Sequence, residues 1–304
     1  MSWILYLEQS LNGLQFGLML FLLASGLTLV FGIMDMINLA HGALYMVGAF
    51  LAAWLAQLTQ SFWLGVLLAI PLTALFGMLM ESSLLRTLYA RDHMSQVLAT
   101  FSLMLIINEA TRMIWGTDLS FMPPAALSGP VELLPGLYYP SYRLVIIAVG
   151  LVIAGLLYLA VTRTRMGAWV RAGASNREMA MAMGIHIQRL FTLVFGLGAA
   201  LCAVAGAMLG PLMAVQVGMG ESILILAFVV IVIGGIGSIW GAFVGSLLVG
   251  FVDTFGRTLL PALFREIFPP QVAGAAGPAA ASIMVYLLMA VVLFVRPQGL
   301  FARR

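Results

Sequence analysis

Apolar residues follow one another along this chain in runs of about 20 positions, separated by short polar or glycine-bearing gaps, with no strand-like alternation. Runs of that length match the helix needed to cross roughly 30 Å of hydrocarbon, and nothing resembles the alternating segments of a membrane barrel. The pattern predicts helical spans near 11–33, 40–58, 62–80, 94–115, 142–161, 191–213, 223–236, 239–256 and 281–296. Two places strain it. The second span opens in a polar stretch and carries Gly42 and Gly48, and only GGIGSIW separates the seventh from the eighth. Either could be a broken or re-entrant helix. The expected fold is all-α: a polytopic helical membrane protein of eight to ten segments, broken or re-entrant helices allowed for, in a single transmembrane domain over 1–304.

Composition sharpens this picture. The 304 residues are 63% hydrophobic and 8% charged, with a mean hydropathy of +1.10, whereas about a quarter of the residues in soluble domains are charged. No sizeable soluble domain fits beside such a bundle. The N-terminal MSWILYLEQS lacks a basic region and carries Glu8, so the first span is expected to be retained rather than cleaved as a signal. The single cysteine, Cys202, lies in an apolar run and reads as a small core residue with no adjacent base.

All 14 basic residues are arginines. Arg86 and Arg91 share one loop; Arg163, Arg165, Arg171, Arg177 and Arg189 share another; Arg296, Arg303 and Arg304 end the chain. The predicted spans put these three regions on one side, which the positive-inside rule assigns to the cytoplasm. The loop from Gly116 to Ser141, with five prolines, falls on the other side. The C-terminus is then cytoplasmic, and nine crossings put the N-terminus outside. The net charge of +3 follows from this asymmetry and does not signal nucleic-acid binding.

Within the apolar pattern, VFGIMDMINLAHGALYMVGAF (Val30 to Phe50) is anomalous, with an Asp, an Asn and a His in seven positions. On one helix, Asp35, Asn38 and His41 would sweep around one side and share a polar seam. Such groups at membrane depth mark pathways or gates, although Asn and His also bridge neighbouring helices by hydrogen bonds, and Asp35 could sit at the interface. Glu109 with Arg112 and Asp253 with Arg257 have the spacing of helical ion pairs that neutralise charge. Gly13 and Gly17, Gly206 and Gly210, and Gly241 and Gly245 form G-x-x-x-G spacings, which let helices approach closely.

The second polar feature is the basic loop at about 162–190, RTRMGAWVRAGASNREMAMAMGIHIQRL. Ser175 followed by Glu178 has the spacing of a capping box, Ala180 and its Met and Ala neighbours propagate a helix, and Gly184 offers a left-handed stop. A helix of about two turns is marginal alone, so this one is either a solvated turn or a docking element with an adaptable methionine face.

Glu178, Ala180 and Gly184 also have the spacing E-x-A-x-x-x-G, which resembles the cytoplasmic coupling loop of ABC importer permeases, without the Leu-Pro that often follows. GLTLVFGIMDMINLAHGALYMVGAF resembles the first block of the Liv-type permeases, LivH-like in kind, at Asn38, Ala40, His41, Gly42, Gly48 and Ala49, with Phe50 where tyrosine is frequent. RAGASNREMAMAMGIHIQRL and FVVIVIGGIGSIWGAFVGSLLVG resemble the other two blocks, in the same order, and the likeness runs nearly end to end.

This resemblance implies half of the passage of an ATP-driven importer of branched-chain amino acids or related small solutes in a bacterial inner membrane. Its implied partners are a LivM-like second permease, two cytoplasmic ATPase subunits that use ATP and magnesium, and a periplasmic binding protein. Urea, short amides or other amino acids are carried by related systems. The chain itself has no lysine and therefore no Walker A loop, so no cofactor is expected on it and no catalytic role. A self-sufficient secondary transporter or channel for a small polar solute is the main alternative, but it would not need a capped docking helix. A membrane enzyme or metal site is disfavoured, because His41, His93 and His186 form no ligand spacing.

Overall fold

The computed structural model describes residues 3–301, so Arg303 and Arg304 lie outside the described residues. Among these, eight helices are long and apolar enough to cross a membrane. The helices are α1 (Trp3–Met34), α2 (His41–Thr59), α3 (Phe62–Ser83), α4 (His93–Trp115), α5 (Ser141–Arg163), α6 (Arg165–Ser175), α7 (Arg177–Ala182), α8 (Ile187–Met213), α9 (Met219–Gly234), α10 (Ile239–Ile267) and α11 (Pro270–Val295). Of the helices predicted as spans, only α9 is shorter than 18 residues, at 16.

Local chemistry explains several boundaries. Asp92 accepts a hydrogen bond from Ser95 N at 3.1 Å and starts α4, and Ser238 accepts one from Gly241 N at 3.0 Å and starts α10. The bonds from Ser95 hold the exposed Asp92 carboxyl below its usual pKa. Gly235 and Gly237, at φ 100° and 78°, make the sharp turn between α9 and α10 that GGIGSIW suggests.

Three helices exceed their predicted extents by eight residues or more: α1 begins at Trp3 rather than near 11, and α10 and α11 both lengthen. α10 continues to Ile267 and α11 begins at Pro270, whereas the sequence pattern ends one near 256 and starts the other near 281. The intervening AGAAGPAA has the look of a loop, but Gly277 within it serves packing, since a Cβ there would come within 2.7 Å of Pro261 Cα. Four short strands accompany the helices. β1 (Asp118–Leu119) pairs antiparallel with β4 (Val215–Gln216), and β2 (Pro130–Leu134) with β3 (Leu137–Pro140).

The chain forms two compact units, each drawn from separate parts of the sequence. One comprises Leu22–Pro124 and Val152–Ile225; the other holds the remaining described residues. In the first, α2, α3 and α8 pack around Tyr45, Phe50 and Phe195, all fully buried. α2 and α8 touch backbone to backbone, because a Cβ on Gly48 or Gly206 would overlap Ala203 or the Tyr45 carbonyl. In the second unit α10 lies along α11, and Phe21 meets Phe243 edge-on at 5.2 Å. The outer faces of α3, α4, α5 and α11 stay apolar and exposed, as lipid-facing surfaces must be.

Candidate functional site

Two elements of the Leu22–Pro124 and Val152–Ile225 unit carry the polar features read from the sequence: the turn between α1 and α2, and the basic loop between α5 and α8. In the first, Asp35, Asn38 and His41 do not share a helix. α1 ends at Met34, Asp35 turns out of it in the left-handed region at φ 52°, and α2 begins only at His41. The helical-face reading fails because Asp35, which tolerates this conformation better than most residues, breaks the helix. Asp35 is exposed, whereas Asn38 and His41 are fully buried.

Asn38 holds the turn together. Its Oδ1 accepts from Ala40 N at 3.0 Å, closing an Asx turn that feeds α2, while its buried Nδ2 has no hydrogen-bond partner among the described residues. On the α4 side, Thr100 Oγ1 accepts from Leu39 N at 3.2 Å. His41 points inward, with Nε2 3.1 Å from Cys202 Sγ on α8. The expectation that Cys202 has no adjacent base is thus corrected: the fold brings it an imidazole from 161 positions away. Both groups are fully buried, which suits an interhelical bridge.

The basic loop holds two helices where the sequence suggests one. α6 is capped by Thr164, which accepts from Gly167 N at 3.1 Å, and it ends at Ser175. Ser175 is therefore no N-cap. The cap of α7 is Asn176, whose Oδ1 accepts from Met179 N at 2.9 Å, and Glu178 lies exposed in the first turn. The capping box fails by one position because Asn is as good a cap as Ser and stands nearer the helical run. At the other end, Gly184 has φ 86°, Gly184 N donates to Met181 O at 2.9 Å and Ile185 N to Ala180 O at 3.1 Å, the paired bonds of a Schellman stop. Ala180 turns inward and is 3% exposed, while Met179, Met181 and Met183 are 62, 53 and 78% exposed. A six-residue helix locked at both ends, together with its C-cap Met183, thus presents three largely exposed methionines.

Among the remaining sequence candidates, Gly13 and Gly17 face Phe251 and Ser246 on α10, and Gly241 and Gly245 face Gly234 and Val230 on α9. Gly206 meets Tyr45, and Gly210 meets Phe121 and Val215. Arg112 pairs with Glu109 at 3.1 Å and Arg257 with Asp253 at 2.8 Å. Among the described residues, no group of three or more His, Cys, Asp or Glu could hold a metal ion.

A cluster absent from the sequence reading lies beside the basic loop. Glu81, at the end of α3, is fully buried and accepts from Tyr89 Oη at 2.7 Å, Thr192 Oγ1 at 2.6 Å and Arg86 Nη2 at 3.2 Å. Burial, then the hydrogen bond to Glu81, pushes the Tyr89 phenol well above its usual pKa. The only sequence signal for this cluster was a lone acid at the end of an apolar run.

Residues 9–293 match the family described as "Branched-chain amino acid transport system / permease component". The chain belongs to this family. Among permeases similar to it, the high-affinity branched-chain amino acid transport system permease protein BraD of Pseudomonas aeruginosa is 30% identical over 311 residues, covering 98% of this chain and 96% of BraD. The LivH permease of Salmonella typhimurium is 28% identical over 319 residues, with the same coverage. The fructose import permease protein FrcC of Rhizobium meliloti shares 33% identity over 34% of the chain. No solved structure matches. The family places the chain as a multi-pass transport subunit rather than an enzyme, and both polar elements fall inside the matched region.

Proposed function

We propose that this permease forms half of the passage of an ATP-driven importer in a bacterial inner membrane, taking branched-chain amino acids or related small solutes from a periplasmic binding protein. The observation that carries the proposal is α7, a helix fixed at both ends with more than half of the surface of Met179, Met181 and Met183 left exposed. A chain without lysine cannot build a Walker A loop, so an energy-coupled permease of this kind needs its ATPase from other polypeptides. α7 is the surface that one of two cytoplasmic ATPase subunits, which hold ATP and magnesium, would grip. A LivM-like second permease completes the passage. The substrate class rests on the names of BraD and LivH; in this reading the external binding protein supplies most of the specificity.

The test is reconstitution into liposomes. With a second permease, ATPase subunits and loaded binding protein, the chain should accumulate labelled leucine only when ATP is supplied inside, and alone it should do nothing. Accumulation by the isolated chain on an ion gradient would overturn the proposal in favour of a secondary carrier. Titrating the binding protein against branched-chain amino acids, urea and short amides then fixes the solute.

A further inference from the structure

The two polar elements joined in no sequence pattern are joined in the fold by one side chain. Arg177, the first residue of α7, donates from Nε to the carbonyl of Ile33 at 3.1 Å, across 144 positions. We infer that Arg177 is the positioning residue that passes movement of α7 to the α1–α2 turn; the inference rests on the importer reading above.

The geometry is specific at each end of this link. Ile33 lies in the last turn of α1, and its carbonyl loses its intrahelical amide when the chain leaves the helix at Asp35. Arg177 supplies the missing donor at Ile33, two positions before the left-handed Asp35, five before Asn38 and eight before His41. On its other side the guanidinium lies over Phe191, 5.4 Å from the ring centroid. Phe191 meets Tyr89 edge-on at 5.4 Å, and Tyr89 bonds Glu81 and approaches Met34 Sδ at 3.6 Å. Arg177 is thus seated on the buried Glu81 cluster, which ties α3 to α8, while it reaches across to the end of α1.

The choice of partners matters. A carbonyl and a ring hold a half-buried guanidinium firmly enough to position it, and its release strands no buried counter-charge. A displacement of α7 can therefore pull or free the Ile33 carbonyl without the cost of breaking a buried ion pair. Lysine could not reproduce the arrangement, because it lacks the flat guanidinium that stacks and donates in one plane.

The experiment has two arms. On the purified chain, hydrogen exchange should show the amides of 35–41 exchanging about tenfold faster in Arg177→Ala, with α8 unchanged and Arg177→Lys intermediate. In the reconstituted importer, Arg177→Ala should keep its ATPase subunits on co-purification. ATP hydrolysis should become independent of loaded binding protein, and uptake should fall about tenfold, within the usual range of coupling between sites. Phe191→Leu, which removes the ring and leaves the donor, should produce a smaller loss. Unchanged exchange at 35–41, or wild-type coupling in Arg177→Ala, overturns the inference. Loss of the ATPase subunits does so too, by making Arg177 a docking residue. If the wild-type complex itself shows no ATP-dependent uptake, the importer reading fails instead, and the exchange arm still decides whether Arg177 holds the turn.

Discussion

Asn38 uses one end of its amide to close a turn and leaves the other buried without a partner among the described residues, an arrangement that costs about 1–3 kcal/mol at such a group. Thr28 Oγ1 and Tyr45 Oη are likewise buried without a partner among the described residues. If Asn38 is structural, Asn38→Ala loses the bond to Ala40 N but also removes the orphan, so the net cost should stay near 1 kcal/mol, with membrane abundance close to normal. A folded, abundant Asn38→Ala protein without transport would instead make Asn38 part of the passage or its gate. His41 and Cys202 allow a second test. Hydrogen bonds between membrane helices average about 0.6 kcal/mol and reach at most about 2, so Cys202→Ala should lower the melting temperature slightly and Cys202→Ser less. Equal stability of all three proteins would remove the thiol from the bridge. The sequence made Asn38 and His41 conspicuous as polar residues in an apolar run. It could not reveal their partners, since Cys202 is 161 positions away and Ala40 bonds only because Asp35 ends the helix.

At the scale of elements, α7 was legible in outline and misread in detail. Its methionine run and its glycine stop stand in the sequence, but the choice between Ser175 and Asn176 as cap depends on where α6 ends, and two glycines in RMGAWVRAGAS concealed that α6 forms at all. The distinction is measurable. Asn176→Ala removes a bond worth about 1 kcal/mol to a helix of six residues, which should loosen it enough to weaken retention of the ATPase subunits on co-purification. Ser175→Ala should leave retention unchanged. Gly184→Val forces a β-branched residue into the left-handed region, at a cost above the roughly 1–2 kcal/mol typical of L-residues there, and should be the more damaging of the two end changes. Retention of full ATPase binding by a protein carrying both Asn176→Ala and Gly184→Val would reduce α7 to a surface turn. The extra length of α11 was illegible for a related reason: alanine and glycine look like a linker until a neighbouring helix is close enough to use them.

For the whole molecule, the decisive question is whether α9 crosses the membrane. At 16 residues and 1.5 Å per residue it is about 24 Å long, short of roughly 30 Å of hydrocarbon, so helix length alone argues for a partial insertion. The arginines argue the other way. Eight crossings without α9 would put the segment carrying Arg296 opposite the loops that hold Arg86 and Arg163 to Arg189, against the positive-inside rule, whereas nine crossings gather them on one side. The two ends of α9 are held differently: Val215 and Gln216, just before it, pair with β1, while the Ile233 and Gly234 carbonyls at its end accept from Leu300 N and Phe301 N of the C-terminal segment. A short span can be accommodated by local bilayer thinning at a fraction of a kcal/mol per Å of mismatch, which is less than the cost of misplacing a cluster of arginines. Cys202 is fully buried, so single introduced cysteines should label against a low background. In sealed vesicles of known orientation, an impermeant maleimide should reach Gln216→Cys only from the periplasmic side, and Ile236→Cys and Gln298→Cys only from the cytoplasmic side. Labelling of Gln216→Cys and Ile236→Cys from the same side would make α9 re-entrant, reverse the C-terminus and leave eight crossings.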